Sequence, residues 1–197
     1  MGRYLGALST DVYGISLKEL RVGKLTLTAA QTVAADPDGI LDGQESAADA
    51  VTTVTEFLAQ PPYPRNITIL PGGTTDDVKA TSITVNGTNI ANQAISEAFA
   101  FLANATEAKV GAKAFKTITS VVIPAQDGAS ATFDVGWGDK LGLPFMASGN
   151  SVLHVLFDGV KETTAPAVVF DADEIEKNTI DLHSALDGSI VEIVVAL

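Results

Sequence analysis

Apolar and polar residues alternate in short runs along most of the chain, and turn-forming residues separate the runs. Lys24-Leu25-Thr26-Leu27-Thr28 alternates with a period of two, the pattern of a strand with one face on a core. By the same reasoning strands are predicted over residues 66–70, 81–85, 115–123, 131–137, 152–157, 167–170 and 189–197, with shorter ones at 160–163 and 179–182. In the C-terminal strand Val191, Ile193, Val195 and Leu197 share one face.

The breaks have a chemistry of their own. Asp36-Pro37-Asp38-Gly39, Asp42-Gly43, Pro71-Gly72-Gly73 and Asp127-Gly128 read as turns. Asn86-Gly87 and Asp158-Gly159 are hairpin signals, because both residue types tolerate the positive φ of a two-residue turn. Gly136 and Gly138 suit a bulge or tight bend after a strand, with Trp137 packed or at an interface.

Two segments carry mixed signals. Over residues 47–58, Val51, Val54, Phe57 and Leu58 fit one helical face, while Val51-Thr52-Thr53-Val54-Thr55 is β-branched like a strand. Residues 90–108 are Ala-rich, with Ile95, Ala98, Phe99 and Leu102 at helical spacing. A strand there would pair with residues 81–85 and complete a hairpin. That reading is preferred, since tertiary context overrides local propensity. The pattern predicts a mainly β fold, an antiparallel β-sandwich or barrel-like domain with an N-terminal arm. Gln60-Pro61-Pro62-Tyr63-Pro64-Arg65 divides residues 1–60, an arm and a short β/helical region, from a β-rich domain over 61–197.

The first 24 residues contain Leu5, Leu8, Val12, Tyr13, Ile15, Leu17 and Leu20. These are too apolar for a solvated tail and too few for a separate core. Residues 16–21 could form one or two helical turns. Arg3, Lys18, Arg21 and Lys24 outnumber Asp11 and Glu19. The candidate partner-binding residues are therefore Arg3, Tyr4, Leu5, Tyr13, Leu17, Leu20 and Arg21.

Composition narrows the partners. The 197 residues are 46% hydrophobic, enough for a sizeable core, and carry a formal net charge of -12. An acidic chain lacks the basic field that phosphate backbones and anionic membranes require, so neither is expected as a partner. The absence of cysteine excludes disulfides, thiolate catalysis and Cys-ligated zinc. No apolar run reaches membrane-spanning length, and the N-terminus has none of signal-peptide length.

Candidate chemistry is sparse. His154 and His183 have no His or Cys neighbour in sequence and read as structural. Ser148 and Ser151 lack a nucleophile elbow. The carboxylates from Asp36 to Asp49 partly match a calcium loop, but Ile40 stands at a ligand position and Asp49 at the place of the bidentate Glu. A solvated turn is the simpler reading. Asp171, Asp173, Glu174 and Glu176 form a second acidic run, a solvated loop or a rim for a basic partner. The glycines and lysine over residues 136–142 do not have phosphate-loop spacing. No cofactor and no enzymatic activity are expected.

Several segments share an order with a known group. These are Pro64-Arg65-Asn66-Ile67-Thr68-Ile69, Thr84-Val85-Asn86-Gly87-Thr88-Asn89-Ile90, Ile95-Ser96-Glu97, Gly111-Ala112-Lys113-Ala114-Phe115-Lys116-Thr117-Ile118-Thr119-Ser120-Val121 and Val135-Gly136-Trp137-Gly138-Asp139-Lys140-Leu141-Gly142-Leu143-Pro144. Residues 64–197 thereby resemble structural proteins of tailed-phage virions, most of all capsid decoration (cement) proteins. The resemblance implies a homotrimer on the capsid surface that clamps the major capsid protein; the first 60 or so residues carry little of it and could be a capsid-docking arm. A tail or fibre component that binds the host surface is the alternative.

Overall fold

A computed structural model describes residues 22–145 and 152–196. The arm residues Arg3, Tyr4, Leu5, Tyr13, Leu17, Leu20 and Arg21, the helical turns expected at 16–21, and Ser148 and Ser151 lie outside the described residues.

In chain order the strands begin with β1 (Val22–Leu27), β2 (Asp36–Glu45), β3 (Thr52–Val54), β4 (Arg65–Gly73) and β5 (Ser82–Thr88). They continue with β6 (Ala94–Ala100), β7 (Lys109–Phe115), β8 (Thr117–Ile123), β9 (Ala131–Gly142) and β10 (Val152–Phe157). The set ends with β11 (Val160–Lys161), β12 (Ala167–Val169), β13 (Thr179–Asp181) and β14 (Val191–Ala196). The fold is mainly antiparallel β, with a sheet curled into a half-barrel.

The first sheet runs β1-β14-β10-β11, the second β12-β13-β9-β4-β7 and the third β3-β8-β5-β6. β9 organises the second sheet. One of its edges pairs with β4 from Ala131↔Gly73 to Leu141↔Arg65. Its other edge pairs with β2 at residues 132–137 and with β13 at 141–142. The same strand also serves two apolar clusters. Phe133, Val135 and Trp137 belong to one with Ile40, Ile67, Ile83 and Phe115. Leu141 belongs to the other, with Leu27, Val155, Ile180, Val191, Ile193 and Val195. Strands on both sides of Gln60–Arg65 share sheets: β1 pairs with β14, β2 with β9 and β3 with β8.

Several expectations hold. The Ala-rich segment contributes strand β6, paired with β5 along its full length. Of residues 47–58, read both as helix and as strand, 52–54 are strand. Asp158-Gly159 makes the β10–β11 turn, with φ of 48° and 77°. Trp137 is packed, and its Nε1 donates to the Ala34 carbonyl at 3.2 Å.

Others are corrected. Asn86-Gly87 is no turn; both residues lie within β5, and the turn falls over residues 89–93. Gly87 is required for a different reason. A Cβ there would collide with the Thr117 carbonyl oxygen of β8, at a register shift in that ladder. The Asp36–Gly43 segment is not a loop but β2, an irregular strand with register shifts against β9. Gly136 makes this possible, because any side chain there would strike the Asp36 carbonyl. Gly136 and Gly138 thus lie inside β9, not after it. Pro71-Gly72-Gly73 continues β4 instead of ending it. The strand expected over 115–123 begins two residues later, at Thr117, because the chain bends at Lys116 and passes there from the second sheet to the third.

Candidate functional site

The described surface offers three chemically distinct places. The first is a cavity of about 280 Å³ over β4, β7 and β9, lined by Asn66, Thr68, Val110, Trp137, Asp139 and Asp181 among others. Asn66 fixes one wall, its Oδ1 accepting the Lys140 N–H at 3.0 Å. Asp139 is also the counter-charge of Arg65, whose side chain is fully buried. Arg65 Nη1 donates to the Val33 carbonyl at 2.8 Å, while Nε and Nη2 have no hydrogen-bond partner among the described residues and Nη2 lies 3.9 Å from Asp139 Oδ1. Burial pulls the guanidinium down to about 10, with the Asp139 charge opposing. Burial, then the Asp139 charge, raises the Asp181 carboxyl above the usual range. Asp139 and Asp181 are far apart in sequence, so no spacing could have paired them.

The second place surrounds the two histidines. His154 is half-buried on β10, and His183 is exposed. Each lines a different cavity, and Glu162 lines both. Glu162 Oε1 accepts the Ser184 N–H at 2.8 Å, whereas Oε2 has no partner among the described residues. Among the described residues, no group of three or more His, Cys, Asp or Glu is placed to hold a metal ion. In the calcium-like segment, Asp134 Oδ1 accepts the Gly43 N–H at 2.7 Å, and a hydrogen bond with Asp38 raises the Asp36 carboxyl.

The third is the acidic run after β12, which is not a freely solvated loop. Lys113 Nζ of β7 reaches Glu174 Oε1 at 3.0 Å and Glu176 Oε1 at 3.3 Å. Lys177 pairs with Glu174 and, at 3.8 Å, with Asp171. Asp171 Oδ1 accepts the N–H groups of Asp173 and Glu174, both at 2.9 Å, which holds its carboxyl low. Lys177 and Lys113 hold Glu174 low. Glu176, in a short 3-10 turn at Ile175–Lys177, is buried, and its Oε2 accepts from Asn89 Nδ2 at 3.1 Å.

Side chains also close strand edges. Gln60 pairs with Ile118 as a strand residue would, its Oε1 accepting the N–H at 2.6 Å and its Nε2 donating to the carbonyl at 3.1 Å. Glu97 of β6 accepts the N–H groups of Ala112 and Lys113 on the outer edge of β7, at 2.7 and 3.4 Å. Leu58, Leu102 and Val160 remain largely exposed.

By fold, the chain is an antiparallel all-β protein with a half-barrel sheet. No protein-family model, curated protein or solved structure matches it.

Proposed function

We propose that the chain is a non-enzymatic structural protein of a tailed-phage virion, a decoration protein that binds the major capsid protein as a homotrimer on the capsid surface. The observation that carries the reading is a division of character along the chain. The β body is acidic, and Glu97 and Gln60 cap exposed stretches of two of its strands, which suits a protein displayed in many copies without strand-to-strand aggregation. The residues before β1 are apolar and carry Arg3, Lys18 and Arg21 against Asp11 and Glu19. β1, which follows that segment, is an outer strand of its sheet, and its first residue, Val22, is exposed. Docked on an acidic lattice, each buried Leu or Ile contributes about 1.5–3 kcal/mol before ordering costs. Several copies in one oligomer add avidity.

Electron cryomicroscopy of the particle tests the location; density on the tail instead of the head would favour the host-binding alternative. Removing residues 1–20 spares β1, which begins at Val22. The shortened chain is expected to fold and to lose to the intact chain in competition for particles. Equal occupancy would refute the docking role, and sedimentation as a monomer at all concentrations would refute the trimer.

A further inference from the structure

We propose that Lys113, Glu176 and Asn89 form a self-processing site that joins the Lys113 amine to the Asn89 carboxamide as an intramolecular isopeptide bond, releasing ammonia. The three residues come from three elements: Asn89 follows β5, Lys113 lies in β7 and Glu176 in the 3-10 turn after β12. Asn89 and Glu176 are buried, and the Lys113 side chain is 19% exposed.

The geometry supplies a carboxylate shared by amine and amide, and a pair of donors on the amide oxygen. The Glu176 carboxylate bridges nucleophile and leaving group, with Oε1 on Lys113 Nζ at 3.3 Å and Oε2 on Asn89 Nδ2 at 3.1 Å. A carboxylate so placed takes a proton from one nitrogen and gives it to the other. Asn89 Oδ1 accepts two backbone N–H groups, from Ala91 and Gln93, each at 3.0 Å. These two donors shape the turn, and they also stabilise the negative charge that builds on Oδ1 when Cγ becomes tetrahedral. Asn89 Nδ2 is held further by Gln93 Oε1 at 3.0 Å. Turn formation accounts for the Oδ1 contacts; it does not account for a buried carboxylate shared between that amide and a lysine.

In the reaction, the Lys113 ammonium gives a proton to Glu176, and the freed lone pair on Nζ attacks Asn89 Cγ. The Cγ–Nδ2 bond breaks as Glu176 returns the proton to Nδ2. Nζ sheds a second proton, which leaves with the ammonia as ammonium. The products are one new amide and a regenerated carboxylate, so no oxidant, reductant or other reactant is needed. The bond would tie the β5–β6 turn to β7, and with it the third sheet to the second.

The charged groups around the amine set the rate. Glu174 and Glu176 contact it directly, and Asp171 and Lys177 lie near it in the same loop. Burial lowers the amine's proton affinity, but the hydrogen bonds it donates to Glu174 and Glu176 and their charges outweigh it and hold its value above the usual range. Moving the proton from the ammonium to Glu176 is therefore uphill, which makes bond formation slow.

Intact-mass measurement of the denatured full chain, fresh and after prolonged incubation of the native protein at neutral pH, tests this. The expected result is a mass lower by one ammonia and, after digestion, a branched peptide joining the segments that contain Asn89 and Lys113. Lys113→Met and Glu176→Gln should keep the full calculated mass. Glu174→Gln, which removes one charge holding the ammonium, should react faster. A native chain that folds by circular dichroism yet keeps its full mass throughout would overturn the proposal. So would ammonia loss that maps to a succinimide at Asn86-Gly87 with no branched peptide.

Discussion

Asp181 sits half-buried on β13, beside Asp139 on the cavity wall. Burial, and after it the Asp139 charge, raises its carboxyl above the ordinary value of 3.8. The folded protein then binds this proton more readily than the unfolded chain does. Ionised Asp181 accordingly costs stability at neutral pH, and the cost fades as pH falls through the raised value toward 3.8. Asp181→Asn is expected to raise the melting temperature slightly near neutral pH, with the two melting curves converging in acid. A variant that melts lower at neutral pH would contradict this. Asp171 and Glu174 act in the opposite sense. Their values are lowered by backbone N–H groups and by lysines respectively, so their contribution is present at neutral pH and is lost as pH falls through the lowered values. Sequence showed these acids as one run; which were paired depended on Lys113, from a distant strand.

At the scale of elements, the edges matter most. β7 ends the second sheet, and the Glu97 carboxylate occupies the place of a further strand at Ala112 and Lys113. Glu97→Ala leaves those N–H groups to water. The expected cost is about 1 kcal/mol, the net value of a typical hydrogen bond. Amide exchange should report it locally, with faster exchange at Ala112 and unchanged exchange at Ile193 in the first sheet. Exchange at Ala112 as slow as in the native chain would show that the carboxylate does not protect the edge. Self-association at high concentration should also rise, because an unguarded edge is a template for another strand. Neither Glu97 nor Gln60 was visible as an edge guard in sequence, since each acts on a segment with which it shares no local pattern.

Across the whole molecule, β9 links the two apolar clusters without a break. A continuous strand that is core to both cannot be lost from one and kept in the other without breaking its own ladders with β4 and β13. Urea unfolding followed by Trp137 fluorescence, which reports the first cluster, should coincide with loss of amide protection at Ile193 in the second. Two separated transitions would show that the clusters unfold independently. The two clusters also bear on how the chain reads by eye. The Pro-rich segment at residues 60–65 looks like a divider, yet β1, β2 and β3 before it pair with β14, β9 and β8 after it.

The strand character of the chain, the Asp158-Gly159 turn and the buried face of Val191, Ile193 and Val195 were legible in sequence. Each rests on a local rule: alternation with period two, or a pair of residues that accepts positive φ. Tertiary structure alone decided that Asn86-Gly87 continues a strand, that Asp36–Glu45 pairs with β9, and that the expected 115–123 strand starts only after a bend at Lys116. In those places a glycine serves the close approach of a backbone distant in sequence, as at Gly87 against Thr117 and Gly136 against Asp36, and a turn signal cannot be told from a contact signal until that neighbour is in place. The meeting of Asn89, Lys113 and Glu176 belongs to the same class, because the ladders that bring β5, β7 and the turn after β12 together are long-range.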